Sequence, residues 1–154
     1  MSTHPYLRAY LAGIFVPTLI LPLMLTAFIV LRLVLRVPVS IERGLVFPLA
    51  LVPVVWGLWN VLWLGSHTRT HLAVGPHGAI LPALLAPCGA VLARRLGVVA
   101  LGAAKVTLFN SLHLPYALIA ALFCCGVAVY YLVWKYIVGF LNALLSIDSQ
   151  RRFQ

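Results

Sequence analysis

The chain has 154 residues, 64% of them hydrophobic and 8% charged, with a net charge of +9 from eleven Lys and Arg against Glu42 and Asp148. Soluble domains carry roughly 45–50% apolar and about 25% charged residues. This chain therefore lacks the polar surface to cover a core in water, and it needs lipid or a large partner as its solvent.

At roughly 20 residues per crossing there is room for several membrane spans and for no separate aqueous domain. The composition predicts a single all-α integral membrane domain of four transmembrane helices, with a fifth possible. A basic excess in a soluble protein would suggest nucleic acid. Here the basic residues punctuate apolar runs and form no patch, so nucleic acid is not expected as a partner. Anionic lipid headgroups are, together with control of topology by charge.

The first span is expected at 9–31, between Arg8 and Arg32. Only one basic residue precedes it, and no convincing cleavage site follows, so it reads as a retained span rather than a signal peptide. The second is expected at 45–66, before Arg69. The third is expected at 77–93, a short run whose helix starts near Pro76 or His77 after a polar loop from His71 to Gly78.

Residues 96–109 are apolar but too short to cross before Lys105, and Gly97 and Gly102 weaken them as a helix. An interfacial or re-entrant segment is expected there. A fifth span would put Lys105 in hydrocarbon without a neighbouring acid, at a cost of about 2.5–3.5 kcal/mol. The fourth span is expected at 114–146, after a polar entry at Asn110, Ser111 and His113. It is longer than a bilayer core requires, and Lys135 would snorkel among an aromatic belt of Tyr130, Tyr131, Trp134 and Tyr136. Arg32, Arg36, Arg43, Arg94, Arg95 and Lys105 on one side outnumber Arg8, Arg69, Arg151 and Arg152 on the other, which places both termini away from the cytoplasm.

Three spans share a proline pair five residues apart: Pro17 and Pro22, Pro48 and Pro53, Pro82 and Pro87. Each proline removes a helix donor and crowds the carbonyl four residues earlier, so the first three helices are expected to kink. The freed carbonyls could line a solute path or simply shape packing.

Candidate chemistry is sparse. Cys88, Cys124 and Cys125 lie in apolar runs and read as small hydrophobic residues. His67 and His71 have i,i+4 spacing, and with His77 could offer three nitrogens to a metal ion, although Arg69 between them would oppose a cation. Trp56, Trp59 and Trp63 recur at helical spacing with Asn60 beside them. They form a packing face or a cofactor-binding face for a flat lipid-soluble molecule such as a quinone or pigment. Which cofactor would bind, if any, the residues do not specify. No nucleophile elbow, HExxH or phosphate loop is present, and two carboxylates at span ends do not make a catalytic pair.

The resulting expectation is a non-catalytic accessory or assembly subunit of a larger membrane complex, bound to other membrane subunits or to its own copies. The alternative is a small oligomeric transporter or channel for an anion or lipid-like solute. The expected location is a bacterial cytoplasmic (inner) membrane.

Overall fold

The structure is a computed structural model that describes residues 4–36, 47–109, 112–145 and 147. Glu42, Arg43, Asn110, Ser111 and the polar tail 148–154 lie outside the described residues. Four helices, α1 (Pro5–Ile29), α2 (Phe47–Thr70), α3 (Val74–Arg95) and α4 (Tyr116–Leu132), make the bundle. A π-helical turn at Val30–Val34 continues α1. A second one at Val133–Val138 joins α4 to α5 (Gly139–Leu144), giving one rod of 29 residues. All four rods are long and apolar enough to cross a membrane. The protein is an all-α, multi-pass integral membrane protein.

Two boundaries differ from those expected. The loop before the third span shrinks to residues 71–73, and α3 starts at Val74. His71 makes this tight turn with φ of 52°, and its amide donates to the carbonyl of His67 at 2.8 Å. Pro76 then falls in the first turn of α3, where a missing donor costs nothing.

Residues 96–109 are the second difference. Leu96 closes α3, Gly97 takes φ of +70°, and the amide of Val98 donates to the carbonyl of Ala93 at 2.9 Å. This left-handed glycine cap stops the helix. The chain then folds as an antiparallel meander of β1 (Val99–Leu101), β2 (Lys105–Leu108) and β3 (Leu112–Pro115). Val106 pairs with Leu101 and Leu114, and Thr107 with Ala100 and His113. Strands of four residues reach about 14 Å, half a bilayer core, so no fifth span forms. Lys105 is exposed at the start of β2.

The packed core occupies one half of the bundle. It is built from Ala9, Ala12, Gly13 and Val16 of α1, Trp56, Asn60, Trp63 and Leu64 of α2, His77, Gly78 and Leu81 of α3, and Trp134, Val138 and Asn142 of the last rod. No residue of α4 is buried. Gly13 and Gly57 let α1 and α2 touch backbone to backbone: a Cβ on Gly13 would sit 2.6 Å from the carbonyl oxygen of Trp56. Small residues at such crossings are how helices associate where lipid removes the hydrophobic drive.

Trp134, expected in an aromatic belt, is fully buried instead. Its ring lies over Gly78, whose missing side chain makes the space. Tyr131 and Tyr136 do flank Lys135, with its Nζ 5.6 and 5.2 Å from their ring centroids. The prolines Pro17, Pro22, Pro53, Pro82 and Pro87 sit inside continuous helices, and Pro48 in the first turn of α2.

A methyl group at Gly78 would overlap the Trp134 ring, while one at Gly126 of α4 meets nothing within 4 Å. Gly78→Ala is therefore expected to lower stability by about 1–3 kcal/mol in a detergent-unfolding titration. Gly126→Ala should leave it unchanged or slightly raised, and equal behaviour of the two variants would refute this packing.

Candidate functional site

In hydrocarbon a polar side chain is tolerated where a partner satisfies it. Asn60, fully buried on α2, meets Asn142, 3% exposed on α5. Asn60 Nδ2 donates to Asn142 Oδ1 at 2.8 Å, and Asn142 Nδ2 returns a bond to Asn60 Oδ1 at 3.1 Å. Asn60 Nδ2 also donates to the carbonyl of Ala9 at 2.7 Å, which brings α1 into the same junction. Asn142 escapes a sequence reading because its partner lies 82 residues away. The available signal was a second asparagine inside an apolar run.

A second clasp joins α2 to α3. Trp59 Nε1 donates to the carbonyl of His77 at 3.0 Å, and His77 Nε2 lies 3.1 Å from the carbonyl of Trp59. Their rings stack at 4.6 Å. Lower on the same face, Trp63 Nε1 donates to the carbonyl of Leu72 at 3.0 Å, and its ring stacks on His67 at 4.8 Å. The Trp56, Trp59, Asn60 and Trp63 face is thus the surface on which α2 packs. The rings of Trp56 and Trp134 lie tilted against each other at 5.3 Å, and neither indole N–H finds an acceptor among the described residues.

The three histidines separate. His77 is occupied by Trp59, while His67 and His71 line a cleft at the end of the bundle. Among the described residues no three His, Cys, Asp or Glu side chains come close enough to share a metal ion. Cys88, Cys124 and Cys125 are exposed on helix faces, where in a membrane they meet acyl chains.

Two concavities among the described residues bear on binding. One is an apolar crevice of about 250 Å³ between α1, α2 and the last rod, bounded by Val16, Ile20, Leu49, Val52, Trp56 and Tyr130. The other is the end cleft, about 720 Å³, between the α2–α3 turn and α5. The first is lined by apolar and aromatic side chains. The second carries polar groups at the level where spans end.

Asn60→Ala and Asn142→Ala should each lower stability by about 1–2 kcal/mol. The double variant should cost little more than either single one, because each single variant already breaks the pair. Additive losses in a double-mutant unfolding cycle would count against the junction.

Comparison with protein-family models, with curated proteins and with solved structures finds no match for this chain.

Proposed function

We propose that this protein is a non-catalytic accessory or assembly subunit of a larger membrane complex, seated in a bacterial cytoplasmic membrane with its basic ends against anionic headgroups. The observation that carries this reading is how the polar groups at membrane depth are spent. Asn60, Asn142, Trp59 and His77 bond to one another or to backbone across helices. They hold the bundle together and leave no polar line across it among the described residues. An ion or polar solute crossing hydrocarbon needs such a line.

The other half of the bundle offers apolar surface instead. Beyond Pro17 the side chains of α1 are largely exposed, α4 buries nothing, and the crevice opens between them. In lipid, exposure alone is ordinary. A crevice beside exposed, proline-bearing helices is a seat for another apolar helix, which fills it by van der Waals contact.

Two measurements test this. Gentle solubilisation and affinity purification should recover a stoichiometric membrane partner. A photo-crosslinking residue at Ile20, on the crevice wall, should join that partner, while one at Leu122 on the outer face of α4 should do so far less. Recovery of the chain alone, or crosslinks to lipid only, would reject the subunit reading. Crosslinks to a second copy would make it a self-assembling component.

A further inference from the structure

The end cleft has features that the subunit reading does not use. Its wall includes His67 and Thr68 from the end of α2, His71 from the turn that follows, Val74 from the start of α3, and Asn142 from α5. We infer that this cleft binds the phosphate of an anionic lipid headgroup. The inference rests on the basic-end contact with headgroups proposed above and gives it a specific address.

The cleft offers donors to an anion. The amide of Asn142 carries two N–H bonds, and one goes to Asn60. The other has no acceptor among the described residues, on a side chain that is 3% exposed and lines the cleft. The 22-residue helix α3 starts here with no side-chain cap, so the amide of Val74 is one of its unspent donors. The aligned peptide dipoles add partial positive charge at that point. Thr68 supplies a hydroxyl and His71 a ring, both exposed. His67 Nδ1 lies 3.3 Å from the carbonyl of Leu64, and its ring stacks on Trp63 at the cleft wall.

Among the described residues the surrounding charge has one sign. Arg8 Nη1 reaches the carbonyl of Leu145 at 3.2 Å, beside the cleft residues Asn142 and Ala143. Arg69 is exposed next to Thr68. No carboxylate occurs among the described residues. This field repels a metal cation and attracts a phosphate. The depth argues for a lipid source. The cleft lies where α2 ends and α3 begins, at the level of headgroups, and Trp63 on its wall is an interfacial residue type.

The test uses the full chain in nanodiscs of phosphatidylcholine doped with phosphatidylglycerol, released into native mass spectrometry. The wild type should retain one phosphatidylglycerol. His71→Asp should lower its retention about tenfold. His71→Asn is the matched control, since both residues tolerate a left-handed backbone and only Asp adds negative charge. It should lose clearly less lipid than His71→Asp, and Arg94→Gln with Arg95→Gln at the opposite end should retain the lipid in full.

Equal retention by wild type and His71→Asp would overturn the site while leaving general headgroup contact standing. No preference for phosphatidylglycerol over phosphatidylcholine in any variant would overturn both. In a parallel titration the Trp fluorescence of lipid-stripped protein is followed with inorganic phosphate alone. Saturation there, with no lipid retained, would assign the cleft to free phosphate and overturn the lipid assignment.

Discussion

The junction of Asn60 with Asn142 and the Ala9 carbonyl is the constraint around which the bundle is arranged. Apolar side chains have no preference between a neighbouring helix and lipid, so burial of Leu or Val does not fix which helices meet. An amide in hydrocarbon does have a preference, because an unmatched donor there has no water to turn to. Asn60 can be satisfied at one place and in one rotation, and that place sets α1, α2 and α5 against one another. The small side chains of Ala9, Ala12 and Gly13 lie along the same contact and let the backbones close to hydrogen-bonding range.

The same logic extends to α3. The reciprocal bonds of Trp59 and His77 fix its start against α2, and the absence of a side chain at Gly78 admits Trp134 from the last rod. Polar clasps and close glycines therefore lie in one half of the molecule. The other half has the exposed apolar faces and the crevice, and among the described residues no polar pair joins its helices. The bundle is thus tied at one end and open along its side. The end cleft follows from the tie as well: Asn142 must sit at the bottom of the space between α2, α3 and α5, where one of its N–H bonds is left over.

Much of the architecture could be read along the chain. Long apolar runs cut by Arg and Lys specify spans whatever their neighbours do, because the bilayer thickness sets the length and the backbone must bond internally. The meander was harder to see. Lys105, Val106, Thr107 and Leu108 do alternate, but over four residues, and a short apolar run of that length fits a helix turn equally well. The cap at Gly97 shows in the sequence as a glycine soon after two arginines, a pattern that weakens a helix interior and equally suits its end. Of the candidate site residues, Trp56, Trp59, Asn60 and Trp63 were found on one face by their spacing. Asn142 and Trp134 were not, since nothing near them in sequence marks them as inward.

What the sequence by itself determined is the solvent and the number of crossings, since hydropathy and charge spacing act residue by residue against a slab of fixed thickness. What only the tertiary structure decided is the use made of each polar and aromatic group. Trp134 became core instead of belt, His77 became a clasp on Trp59, and His67 and His71 came to line a cleft. Each outcome depends on a partner tens of residues distant, and in hydrocarbon such rare pairings, not the apolar background, choose how helices meet.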